Sequence, residues 1–201
     1  MKILLGSQSP RRRELLAGLD VDFRVVAIDA DEHYPEGLQG GEIPYFISRA
    51  KAEAYGEPLA EDEVLLTADT IVWVPGEGGR GGVMLGKPKD EEEARRMLRL
   101  LSGRMHEVYT GVTLRTREGM QTITDKTEVW FRALTEEEIA YYVEKYQPLD
   151  KAGAYGVQEW IGYVGVTKIV GSYFNVMGLP VERVWEEIRK EKGRRSVRCI
   201  G

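Results

Sequence analysis

The chain has one cysteine, Cys199, and two histidines, His33 and His106. A lone thiol excludes an internal disulfide and a cysteine-rich metal site, and two isolated histidines offer no zinc-ligand spacing. A reducing, cytoplasmic setting is the matching expectation. No apolar run approaches the roughly 18 residues of a membrane span, so no membrane partner is expected. The apolar core of the opening MKILLG is too short for a signal peptide and reads as a buried first strand. A Gly-x-x-x-x-Gly-Lys-Ser/Thr loop is missing, which excludes a P-loop nucleotide hydrolase, and so is a Gly-x-Ser-x-Gly nucleophile elbow. Excess positive charge is missing too. With 28 Lys and Arg against 33 Asp and Glu the net charge is −5. Phosphate attraction dominates nucleic-acid affinity, so broad nucleic-acid contact is not expected.

What is present suits a globular protein: 201 residues, 42% hydrophobic and 30% charged, enough chain for a sizeable core. No repeat, low-complexity tract or linker divides it. One domain over residues 1–190, with two lobes and a central cleft, and a fraying basic tail over 191–201 are expected. Strand-like runs at Lys2–Leu5, Phe23–Ile28, Val64–Val74, Val83–Leu85, Glu107–Arg117, Met120–Arg132 and around Gly165–Val170 alternate with helical stretches. Those stretches are Pro10–Leu19, Glu42–Tyr55, Asp90–Leu101, the segment capped by Thr135 and ending near Tyr146, and Pro180–Lys190. The pattern predicts an α/β protein with a mixed sheet. PGEGGRGG reads as a flexible hairpin tip.

Four features bear on chemistry. The stretch GSQSPRRRELL places three arginines at a helix start, where unpaired N–H groups already carry positive charge. Such a helix start binds anions; Ser7 and Ser9 add hydroxyls and Arg11–Arg13 add guanidinium forks. Outward-facing, solvated arginines are the plainer alternative. Asp69 interrupts the apolar run LLTADTIVWV, where a carboxylate needs a partner. A metal ligand or general base on one side, and a local cap or ion-pair member on the other, are equally open. Lys87, held between Gly86 and Pro88, offers a point charge to a phosphate, as does Lys51 in SRAKAEAY; a solvated lysine is the default for each. Asp31, Glu32 and Glu42 are spare carboxylates for a divalent cation or simply solvated acids, and the Gln158 amide offers a donor and an acceptor to a base edge or is a plain surface glutamine. Together these suit a nucleoside triphosphate carrying a divalent metal.

SQSPRR (Ser7–Arg12), TADT (Thr67–Thr70), LGKP (Leu85–Pro88), SGRMHEVYTGV (Ser102–Val112), DKAGAYGVQ (Asp150–Gln158) and GSYFNVMGLP (Gly171–Pro180) resemble, in order, the Maf family of nucleotide pyrophosphatases. The resemblance spans Ile3 to Pro180. It implies an elongated mixed β-sheet with flanking helices in two lobes, similar to the inosine triphosphate pyrophosphatases, with the nucleotide in the cleft between them. SPRR with DKAGAYG and its glutamine resembles the branch acting on dTTP and UTP, which are hydrolysed to the monophosphate and pyrophosphate. By the same likeness Asp69 is the catalytic carboxylate and, with Glu32, a ligand of Mg2+ or Mn2+. Arg11, Thr70 and Gln158 would select the base, and Ser7, Ser9, Arg12, Lys51 and Lys87 would handle phosphates. A homodimer is implied as well. The stretch from Asp69 to Lys87 is a few residues longer than the family pattern, through GEGGRGG, and Arg13 falls where the family varies. Two other readings compete: a nucleotide- or nucleic-acid-binding regulator of septum formation without catalysis, and a related enzyme preferring inosine or xanthosine triphosphate.

Overall fold

A computed structural model describes residues 1–76, 78 and 81–198, with 195–198 as backbone alone. Seven strands form one mixed sheet. The first, β1 (Lys2–Gly6), leads through α1 (Pro10–Ala17) to β2 (Phe23–Val25), and α2 (Glu42–Ala54) leads to the long β3 (Glu63–Pro75). Both β2 and β3 pair with β1 in parallel, one on each side. The remaining pairings are antiparallel: β4 (Gly82–Leu85) and β5 (Met105–Arg115) with β3, β6 (Met120–Phe131) with β5, and β7 (Val166–Val170) with β6. Five more helices flank the sheet: α3 (Glu91–Leu101), α4 (Glu136–Tyr146), α5 (Trp160–Gly165), α6 (Tyr173–Met177) and α7 (Val181–Arg198). Thr135 and Glu138 close the expected capping box at the start of α4.

Side-chain alternation along β3 distributes the cores. Leu65, Ile71 and Trp73 face α2 and its surroundings, packing with Ala52, Ile43 and Ile47. The other face is split. Val64, Leu66 and Ala68 pack with Leu15 and Leu16 of α1 and Val184 and Ile188 of α7, whereas Val72 and Val74 pack with Ala94, Leu98 and Leu101 of α3 and Ile139 of α4. Thr70 falls between these two cores. The Thr67–Thr70 interruption does not break the strand: β-branched threonines favour extended backbone, and Asp69 finds a cationic partner.

Glycine is required at Gly111, which pairs with Asp69 across the β3–β5 ladder. A Cβ there would collide with the Pro44 carbonyl of α2. This bare position lets α2 lie close over the sheet, carrying Lys51 towards Asp69. Gly111→Ala is expected to cost about 1–3 kcal/mol by overpacking, read as a lower urea midpoint with the slope unchanged.

Three segments differ from the sequence reading. Trp160–Gly165 and Tyr173–Met177 form short helices that apolar periodicity does not reveal at such lengths. The last helix passes Lys190 and runs to Arg198, so the expected fraying tail is helical as far as it is described. Pairs such as Lys190–Glu187 and Arg194–Glu191 support it, and basic residues suit a helix C-terminus. Cys199 and tip residues Glu77, Gly79 and Arg80 lie outside the described residues. No helix among the described residues is long and apolar enough to cross a membrane.

Candidate active site

The edge of β3 opposite β5 pairs with β1 as far as Thr67 and with β4 only from Val72. Between them, around Ala68–Ile71, the sheet has a gap. It lies at the C-terminal end of β1, where the chain departs to β2 on one side while β3 stands on the other, the kind of switch point at which open α/β sheets bind ligands. A cavity of about 380 Å³ occupies it, lined by residues of the β1–α1 turn, the Glu32 loop, α2, β3, the Lys87 turn, the Asp150–Gln158 segment and Gly178.

Asp69 and Thr70 point to opposite faces of β3. On the α2 side, Lys51 Nζ donates to Asp69 Oδ1 at 2.8 Å and stands 2.8 Å from Glu32 Oε1. One ammonium therefore holds two carboxylates. Burial pushes the Glu32 carboxyl up, but Lys51, with Lys87 and Arg12, outweighs it and leaves Glu32 below the ordinary glutamate range.

On the other face Arg12 is the organiser. Its Nε donates to the Gly178 carbonyl at 2.8 Å, one Nη to the Ala68 carbonyl at 2.9 Å and to Ser7 Oγ at 3.3 Å, and the other Nη to Thr70 Oγ1 at 2.9 Å. The Ala68 carbonyl belongs to the unpaired edge of β3, so Arg12 satisfies a backbone group that the sheet leaves open. Burial lowers its pKa, against the opposing pull of Asp69. Ser9 caps α1, with Pro10 in the first helical position.

The other predicted residues stand around this centre. Arg11 leaves its neighbour and reaches Asp150, 2.7 Å from Oδ2, closing one side of the cleft mouth. Lys87 is exposed on the rim and still acts electrostatically on Glu32. The Thr70 hydroxyl is taken up by Arg12, Thr110 and Gly178. Gln158 lines the cavity with its Oε1 buried and unpartnered among the described residues. Ser7, Ser9, Arg11, Arg12, Glu32, Lys51, Asp69, Thr70, Lys87 and Gln158 thus share one cavity. Arg13, Asp31 and Glu42 are exposed and outside it.

Sequence reasoning missed the wall behind Asp150. Lys151 is buried and pairs with Asp150 at 2.8 Å and Glu159 at 3.1 Å, and Glu159 accepts from the Tyr142 hydroxyl, which in turn accepts from Gly156 N–H. Burial raises the Asp150 carboxyl, but Lys151 and Arg11 prevail and hold it at about 2. Tyr155, also in the cavity wall, bonds to His106 Nε2 at 2.7 Å. Burial pushes His106 down to about 3, so it is a neutral buttress. The adjacent Asp150–Lys151 pair in a small-residue segment is the available signal; Glu159 directly follows that segment, but Tyr142 comes from α4.

A mixed sheet opening at its switch point onto a cavity rich in fixed cations, with two carboxylates on one rim, defines an α/β protein built to hold a compact anionic ligand. The chain belongs to the Maf-like protein family, whose model matches residues 2–191. It is 54% identical over 190 residues to the dTTP/UTP pyrophosphatase of Bacteroides thetaiotaomicron, covering 94% of this chain and 95% of that one. It is 46% identical over 185 residues to the dTTP/UTP pyrophosphatase of Flavobacterium johnsoniae, covering 92% of each. Among solved structures it is similar to the Staphylococcus aureus Ham1 protein at 14% identity, with a TM-score of 0.44 over 65% of this chain and 72% of that one.

Proposed function

We propose that this protein hydrolyses dTTP and UTP to the monophosphate and pyrophosphate. The observation that carries the reading is the meeting of Arg12, Lys51 and Lys87 with Asp69 in one cleft, in a chain whose curated relatives bear that activity in their names.

Among the described residues no group of three or more His, Cys, Asp and Glu side chains is placed to hold a metal. Glu32 and Asp69 nevertheless suit a cation that arrives on its substrate, because Mg2+ is commonly held by one or two carboxylates with phosphate oxygens and water completing the set. These two residues would hold Mg2+ or Mn2+, which when bound neutralises phosphate charge. Asp69 orients the attacking water and accepts its proton. Lys51 and Lys87 place point charges against the polyphosphate, and Arg12, with one Nη hydrogen unpartnered among the described residues, adds charge at the base of the cleft. Thr70 contributes by fixing Arg12. Gln158 reads the base: a side-chain amide pairs an acceptor with donor hydrogens, which suits the N3–H and ring carbonyl of thymine or uracil. Arg11, steadied by Asp150, lines the same cavity.

Pyrophosphate release from a panel of triphosphates at equal Mg2+ tests this. Faster turnover of dTTP and UTP than of dATP, dCTP, ITP and XTP is the expected result. A purine preference would reassign the substrate, and no release from any of them would remove the activity.

A further inference from the structure

The two rim carboxylates do not face solvent as a free pair. Lys51 Nζ stands 2.8 Å from Glu32 Oε1 and 2.8 Å from Asp69 Oδ1, and its side chain and that of Asp69 are each 14% exposed. Two carboxylates from different elements, a loop and a strand, are thus drawn to one ammonium presented by α2. The surrounding charge has the same sign as Lys51. Five cations line the cavity (Arg11, Arg12, Lys51, Lys87 and Lys151) against three carboxylates (Glu32, Asp69 and Asp150). A bare divalent cation entering here must displace an ammonium from the carboxylates and approach a cavity already net positive. A cation carried on a triphosphate arrives with a net negative ligand, for which the same field is attractive.

We infer that Lys51 is the built-in counter-ion of the Glu32–Asp69 pair, reserving both carboxylates for a cation delivered on a polyphosphate and turning bare divalent cations away. Lysine suits the task better than arginine: a compact charge on a flexible stem can leave the carboxylates and follow the phosphate oxygens without losing a bidentate geometry. The Glu32 end is the looser one, since that side chain is 57% exposed whereas Asp69 is held in β3. Lys51 therefore moves off Glu32 first. This inference rests on reading the cleft as a polyphosphate site.

The test is Mn2+ binding, followed by the loss of the free-ion electron paramagnetic resonance signal, on the full chain without nucleotide. Wild type is expected to bind Mn2+ weakly alone and at least about tenfold more tightly with α,β-methylene-dTTP, which resists cleavage, once the Mn2+ taken up by the analogue in a protein-free reference is subtracted. Lys51→Met, which removes the charge and keeps an unbranched stem, is expected to bind Mn2+ alone at least about tenfold more tightly than wild type, from the Coulomb term released. Lys51→Gln serves as a second neutral variant, and circular dichroism checks the fold of each. Adding Glu32→Gln to Lys51→Met should abolish the gain. Two results overturn the inference: wild type binding bare Mn2+ as tightly as with the analogue, or a neutral variant gaining nothing. Persistence of the gain in the Glu32→Gln double variant overturns it too, because the ion would then sit elsewhere. No arm depends on turnover. A protein that leaves dTTP intact but shows the Lys51→Met gain refutes the proposed activity and not the counter-ion, and the reverse pattern does the opposite.

Discussion

Asp69→Asn is expected to lower kcat on dTTP at least about a hundredfold, the scale of losing a general base, while the protein stays folded. Asparagine keeps the shape of the side chain and the β3 backbone pairing with Gly111. It loses the charge that Lys51 meets at 2.8 Å and, with it, the proton acceptor of the proposed reaction. The site is partly wet, so removal of one charge there should be tolerated by the fold. The measurement is steady-state pyrophosphate release with circular dichroism on the same sample. Near-normal turnover by a folded Asp69→Asn protein would take Asp69 out of the mechanism.

Arg12→Lys is the second large effect. The guanidinium spans the Gly178 and Ala68 carbonyls, Ser7 Oγ and Thr70 Oγ1 at once, which a single ammonium cannot do. The expected cost is about 1–3 kcal/mol, that of leaving a largely buried acceptor unpaired, read from the denaturant midpoint. A fall in kcat/KM of about a hundredfold should accompany it, because α1, β3 and the Gly178 loop would lose their common anchor and small displacements in a site of this kind are costly. Retention of charge makes the variant informative. If charge alone mattered, kcat/KM would survive; an unchanged midpoint and unchanged kcat/KM together would contradict the anchoring role.

Much of the local structure is legible in the residues. Ser9 and Pro10 announce α1, Asp90 and its acidic followers announce α3, and Thr135 with Glu138 announces α4, because capping chemistry is local. The break in apolar pattern at Asp69 is also visible, and it leads to the cleft. The division of labour among the arginines is not visible. Arg12 turns inward to a carbonyl 166 positions away, Arg11 reaches Asp150 across 139, and Arg13 stays exposed. No local rule separates three adjacent arginines. The gap between β1 and β4 along β3 depends on where two partner strands stop, which is a property of the sheet. The Lys151–Glu159–Tyr142 wall is hidden in part for the same reason, since Tyr142 meets Glu159 only when α4 packs beside the segment that carries Lys151 and Glu159.

In the proposed reaction the cation-lined cleft splits a pyrimidine triphosphate between its first and second phosphates. Phosphorus NMR of dTTP incubated with the protein and Mg2+ addresses this most directly. The expected outcome is dTMP and pyrophosphate in equal amounts with no dTDP; dTDP with inorganic phosphate, or dTTP left intact, would rule out that cleavage.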